Sequence, residues 1–176
     1  LQTGEPATTF INESLRRKKH VVTTNKGPIA LHYESLAETA RLHGVELGVE
    51  GTVMSGTPVL RMGRELLAVA GIRRMQGILN GTTNYILTRM EGGSSYQEAL
   101  AEAQANGYAE ADPRGDVEGY DAAAKVAILS GLVLGVPVPF GEVERLGITG
   151  LTPHHIEQAR AEGKHWKLVG TVDNTG

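Results

Sequence analysis

The chain has no cysteine, which excludes disulfides and thiolate-bound metals and suits a reducing compartment. Aromatic residues make up only 5% of it, so its core has to be built from Leu, Val, Ile and Ala. No apolar run approaches the roughly 20 residues of a membrane-spanning helix, and no basic-then-apolar leader reads from the opening residues. Positive charge is not in excess: 17 Lys and Arg stand against 20 Asp and Glu, a net charge of -3. That gives no electrostatic case for a nucleic-acid partner. Internal repeats and low-complexity tracts are also missing. What remains is a composition of 40% hydrophobic and 21% charged residues with 23 glycines, that of a soluble globular protein with many tight turns. Its 176 residues suit one domain of ordinary size, or parts of two. Leu1 follows no methionine, and Leu1 to Gly4 reads as the end of a strand entering a turn. Trp166 to Asp173 reads as a strand with no partner after it. The sequence is expected to be a segment of a longer chain.

Residues 5–19 predict a helix with Pro6 in its first turn and Phe10, Ile11 and Leu15 on its apolar face. Arg16, Arg17, Lys18 and Lys19 complement the helix dipole at its end. His20 to Thr24 predicts a short buried strand, followed by Asn25 and Lys26. Ligands of open α/β sheets sit at the carboxyl ends of strands, so Lys26 is either an anion or cofactor contact or an ordinary surface lysine. A helix over 28–43 closes at Gly44, and a strand-like run covers 45–50. The glycine-rich turn at 51–58 is either a plain turn or, with Glu50, a source of oxygen ligands for a hard cation. A helix follows over 59–68, then a strand over 72–79. Asn80 to Asn84 places four polar side chains around Gly81 at a helix start. Capping needs one or two of them, and a polar or anionic ligand accounts for the rest. Ser95 and Glu98 have capping-box spacing ahead of a helix over 96–106. A short helix is expected over 142–146, and another after Thr152-Pro153, with His154 and His155 exposed.

The most informative stretch is Gly107 to Lys125: five carboxylates (Glu110, Asp112, Asp116, Glu118 and Asp121) against one lysine and Arg114 make it acidic, and it leads into an apolar helix over 121–134. Asp121, Lys125, Ile128 and Leu132 share one face of that helix. Ala122, Val126, Leu129 and Val133 line the next face, so most of the helix is expected to be covered. The Asp121–Lys125 pair is either a decorative acid-before-base pair one turn apart or charge delivered to the edge of a core.

Taken in order, these words resemble the homoserine dehydrogenase family. Gly77-Ile-Leu-Asn-Gly-Thr-Thr-Asn-Tyr-Ile86 is similar to its signature. Gly107-Tyr-Ala-Glu-Ala-Asp-Pro113 and Asp116-Val-Glu-Gly-Tyr-Asp-Ala-Ala-Ala-Lys125 are similar to its active-site stretch, and Val21-Val-Thr-Thr-Asn-Lys26 to the strand and lysine closing its nucleotide-binding half. The resemblance runs from residue 1 to about 170. It implies an α/β architecture: residues 1–27 would be the end of a Rossmann-type dinucleotide-binding domain. Residues 28–176 would form an α+β dimerisation and catalytic domain, with a mainly antiparallel or mixed sheet covered by helices. The implied reaction is reversible NAD- or NADP-dependent interconversion of L-homoserine and L-aspartate 4-semialdehyde, in threonine, methionine and isoleucine biosynthesis. The implied setting is a cytoplasmic homodimer acting on a small molecule, without nucleic acid or membrane.

By the same resemblance Lys125 is the proton donor and acceptor, with Asp121 as its partner. Glu110 holds the substrate amino group, and Asp116 belongs to the substrate pocket. Lys26 sits between cofactor and substrate, and Thr3 lies near the nicotinamide. A monovalent cation, sodium, would be held by Glu50, Val53, Ser55 and Thr57, mostly through carbonyl oxygens; Met54-Ser55 stands here in place of a glycine-rich pair. The residue types suit the chemistry. Hydride arriving at an aldehyde carbon makes an alkoxide, which a nearby ammonium stabilises and protonates. The family's glycine-rich nucleotide-binding motif and its closing strands are not in this sequence, so the isolated segment is expected not to turn over. Two other classes compete: a ligand-binding module that keeps the fold without the chemistry, and a divalent-metal protein using Asp112, Asp116, Glu118 and Asp121. The second departs from the EF-hand pattern, because Ala123 stands where a glutamate is needed.

Overall fold

Residues 3–174 are described by the structure, a computed structural model. The expectations for Leu1 and Gln2 fall outside that range. The chain is a mixed α/β protein, mostly helical, and divides into two units. The first comprises residues 3–75, 124–143 and 172–174, and the second residues 76–123 and 144–171, within the described range.

In the first unit, α1 (Ala7–Arg16) packs on α2 (Lys26–His43). Helix α1 buries Ile11 and Leu15, and α2 buries Pro28, Ile29, Leu36 and Ala40. Asn25 caps α2 by accepting a bond from the Gly27 N–H, and Pro28 sits in the first turn, where a missing N–H costs nothing. Gly44 ends the helix in the left-handed region, φ 67°. Strand β1 (Val21–Val22) pairs in parallel with β2 (Leu47–Gly48), Val21 opposite Leu47. The expectation of a buried strand fails at Val22, which is 85% exposed. Side chains alternate between the faces of a strand, and a two-stranded sheet has little with which to cover both. Of the predicted turn at 51–58, residues Gly51–Met54 form a helical turn, α3.

The single helix expected over 59–68 is broken up. It starts as α4 (Val59–Arg61) and widens into a π turn at Met62–Leu66, where the Leu67 N–H reaches back five residues to the Met62 carbonyl. It ends in a 3-10 turn at Ala68–Ala70. Gly63 is buried in the wide turn, and a Cβ there would collide with the Val133 side chain. Strand β3 (Arg74–Gly77) pairs with β4 (Gly170–Asp173), so the closing strand is shorter than expected and its partner precedes it in the chain.

The second unit is built on α5 (Gly81–Glu91) and α6 (Tyr96–Ala105), which pack together. Ile86, Leu87, Met90, Ala99, Ala103, Val117, Ile148 and Ile156 form its core. Ile86 and Leu87 are fully buried, each a contribution of about 1.5–3 kcal/mol. The capping box of α6 is present: Ser95 accepts from Glu98 N, and Glu98 accepts from Ser95 N. Helix α7 (Arg114–Val117) is a single turn, and after Gly119 comes α8 (Tyr120–Val133), of which residues 120–123 belong to this unit and 124–133 to the first. Most of α8 is covered, as its two apolar stripes predict.

The helix expected over 142–146 is instead a 3-10 turn at Phe140–Glu142, with Val143 extended. A five-residue helix without a packed face is too short to sustain itself. Helix α9 (Pro153–Ala161) carries a further correction. His154 is exposed, but His155 is half-buried and its Nδ1 accepts a bond from the Thr152 N–H at 3.1 Å. No helix of the described residues is long and apolar enough to cross a membrane.

Gly147 lies against the turn that precedes α8. The Ile148 N–H donates to the Val117 carbonyl at 2.8 Å. A Cβ on Gly147 would collide with that carbonyl and stand 2.8 Å from the Glu118 Cα. Backbone cannot yield as a side chain can, so Gly147→Ala is expected to cost about 1–3 kcal/mol, measured as a lowered urea midpoint. A midpoint unchanged from wild type would contradict the packing described.

Candidate active site

The site in the second unit is organised by Asn80, 4% exposed, at the N-cap of α5. Its Oδ1 accepts from the Thr83 N–H at 2.8 Å and the Thr83 hydroxyl at 2.9 Å. Because a backbone N–H only donates, the atom facing it must be the amide oxygen. The Nδ2 group is thereby turned the other way. There it donates to Asp116 Oδ1 at 2.7 Å and to Asp121 Oδ2 at 2.8 Å. Both protons of one neutral amide are thus spent on two carboxylates. Asp121 is 6% exposed, at the start of α8, where the helix dipole favours negative charge. Asp116 is half-buried, on α7.

Two carboxylates five positions apart reach one amide because the chain turns sharply between them. Gly119 supplies the turn with φ 83°. That conformation costs a residue with a Cβ about 1–2 kcal/mol.

Glu110 is exposed on the loop after α6. The loop is tethered at three points. Gln104 Nε2 donates to the Glu110 carbonyl at 3.0 Å, and the Thr82 hydroxyl donates to the Tyr108 carbonyl at 2.7 Å. The Tyr108 ring lies 4.8 Å from that of Tyr85. Tyr85 in turn donates to Glu102 at 2.8 Å, which raises the phenol's pKa above its ordinary value. Thr82 had a signal in the sequence, as one of the surplus polar groups around Gly81. Gln104 had none.

Asp112 stands apart from this cluster. Arg114 grips it with two parallel bonds, Nε to Oδ1 at 2.8 Å and a terminal NH2 group to Oδ2 at 2.6 Å. Both partners are well exposed, so the pair adds little stability. The grouping of Asp112 with Asp116, Glu118 and Asp121 that the competing divalent-metal reading requires is not found. Among the described residues no group of three or more His, Asp or Glu is placed to hold a metal ion.

In the first unit, Lys26 is half-buried as the first residue of α2, just beyond β1. Lys125 is half-buried on α8, one turn after Asp121. Thr3 is exposed; its hydroxyl accepts from the Glu5 N–H, and its carbonyl lies 3.3 Å from His32 Nε2. Glu50 uses both carboxylate oxygens on the next helix, accepting from the N–H groups of Leu60 and Arg61 at 2.9 Å each. Val53 is buried, while Ser55 and Thr57 are exposed. Ser55 is held at φ 52°, unusual for a residue with a Cβ and a sign of a constrained turn.

Residues 58–175 match the sequence profile of the homoserine dehydrogenase family. The chain is 52% identical over 169 residues to the NAD(+)-dependent homoserine dehydrogenase of Pseudomonas canavaninivorans, covering 96% of this chain and 48% of that protein. A homoserine dehydrogenase structure from Thiobacillus denitrificans superposes with a TM-score of 0.94 at 38% identity, over 98% of this chain and 40% of that one. A hyperthermophilic archaeal homoserine dehydrogenase in complex with NADPH superposes with a TM-score of 0.83 at 34% identity, over 96% of this chain and 49% of that one. The chain spans about half the length of the curated relatives it matches.

The Asp112–Arg114 pair makes a titration testable. Arg114 hydrogen bonds first, and its backbone N–H second, hold the Asp112 carboxyl at about 2, below the ordinary 3.8. A depressed carboxyl contributes fully above the ordinary value and loses its contribution as pH falls toward 2. Carboxyl NMR is expected to place Asp112 near 2 in wild type and near 3.8 in Arg114→Ala; an unshifted Asp112 in wild type contradicts the pairing. By sequence profile, identity and fold together, the chain belongs to the homoserine dehydrogenase family.

Proposed function

We propose that the protein containing this chain interconverts L-homoserine and L-aspartate 4-semialdehyde with NAD or NADP, as a step in threonine, methionine and isoleucine biosynthesis. The observation that carries the reading is the pair of carboxylates, Asp116 and Asp121, fixed on Asn80, with Asp121 one helical turn before Lys125 on α8. The substrate is an amino acid, so it brings an ammonium for carboxylates to hold. Its reacting oxygen needs a proton when hydride arrives and must lose one when hydride leaves.

Residue by residue, Glu110 binds the substrate ammonium and Asp116 contributes to the same polar pocket. Lys125 donates the proton to the carbonyl oxygen in reduction and its amine removes it in oxidation. Asp121 orients Lys125. Bound nicotinamide supplies or accepts the hydride, and Thr3 and Lys26 are the residues of this chain assigned to contact it. Lys26 suits the task by opening a helix at the carboxyl end of a parallel strand. Glu50 with the carbonyls of Val53, Ser55 and Thr57 offers hard oxygen donors for sodium. The constrained Ser55 backbone supports that assignment, whereas the use of both Glu50 oxygens as helix caps limits the carboxylate's share. Residues 1–27 are assigned to the end of a dinucleotide-binding domain and 28–176 to the dimerisation and catalytic domain of a cytoplasmic homodimer.

The test is steady-state kinetics of the full-length protein with L-homoserine and either nucleotide. Lys125→Ala is expected to lower kcat by more than about a hundredfold, the scale of a lost general acid. Glu110→Gln is expected to act mainly on the KM for homoserine. Lys125→Ala with kcat within a few-fold of wild type would remove the proposed proton donor.

A further inference from the structure

A helix cap requires only an accepting oxygen. Ser, Thr, Asp and Asn cap almost equally well, so the contacts with Thr83 do not explain why position 80 carries an amide. The other side of Asn80 does. Of those four side chains, only asparagine can accept at the helix N-terminus and donate two hydrogen bonds in the opposite direction. Both of those bonds end on carboxylates, at 2.7 and 2.8 Å, in the range of short charge-assisted bonds. The amide cannot rotate to any other use, because its oxygen is fixed by two Thr83 donors and the residue is 4% exposed. Asp116 and Asp121 therefore have a fixed separation and a fixed facing. Each gives one oxygen to Asn80.

We infer that Asn80 is a positioning residue for the reaction, its side-chain amide setting the spacing and orientation of Asp116 and Asp121. The inference rests on the dehydrogenase reading above. Asn80 touches neither substrate nor cofactor in this role. It acts on substrate binding through Asp116 and on proton transfer through Asp121. Its loss therefore alters KM and kcat together, which loss of a helix cap alone does not do.

Two variants separate the roles. Asn80→Ser keeps a capping oxygen and removes the double donor. Asn80→Asp also keeps the cap and the shape, and sets a third carboxylate against the other two. In the full-length protein, assayed with L-homoserine and NAD or NADP, kcat/KM is expected to fall at least tenfold in Asn80→Ser and further in Asn80→Asp. The fall should divide between kcat and KM, while helix content by circular dichroism matches wild type. Both variants within twofold of wild type would overturn the inference. So would recovery of both only in unfolded form, because that assigns Asn80 to the fold rather than to the site. Lys125→Ala is assayed alongside: if it is inactive while the Asn80 variants are normal, only this inference fails. If Lys125→Ala is itself fully active, the proposed chemistry fails independently.

Discussion

One side-chain amide, that of Asn80, holds the second unit's site in register. Its oxygen is fixed at the head of α5, and both its protons go to acids that arrive from α7 and α8. Without that link the turn at Gly119 would still bring Asp116 and Asp121 near each other, but like charges would push them apart. The surrounding structure supports the same arrangement. Thr83 anchors the amide, the Gly147 crossing pins the turn before α8, and the Ile86–Leu87 core holds α5 in place.

The loop carrying Glu110 is governed differently. It is exposed, and it is positioned by bonds to its backbone from Gln104 and Thr82 and by one ring contact at Tyr108. Such tethers restrain a loop without burying it. Asp121 is buried and Asp116 half-buried, so two acids held by Asn80 stand beside one exposed acid, Glu110, on a tethered loop.

Much of this was legible in the sequence because it depends on local rules. The caps at Asn80 and Ser95 and the two stripes of α8 follow from residue type and spacing. The surplus of polar groups around Gly81 pointed to Asn80 and Thr82 before any contact was known. The failures share a cause in tertiary packing. The wide turn at Met62–Leu66 holds Gly63 close against Val133, a fit that no local pattern announces. Asp112 looked like a member of the acidic cluster until Arg114, two residues away, proved to hold it. Val22 looked buried because it is apolar, and strand alternation decided otherwise. Gln104 bonds backbone, so its role depends on where the chain runs and not on a motif.

Hydride transfer to and from homoserine is the central property of the proposed function. The direct measurement is the appearance of reduced nicotinamide when the purified full-length protein is mixed with L-homoserine and NAD or NADP, and its consumption when L-aspartate 4-semialdehyde is supplied instead. Turnover in both directions that depends on the amino acid is the expected result. No rate above the substrate-free control with either nucleotide would contradict the account.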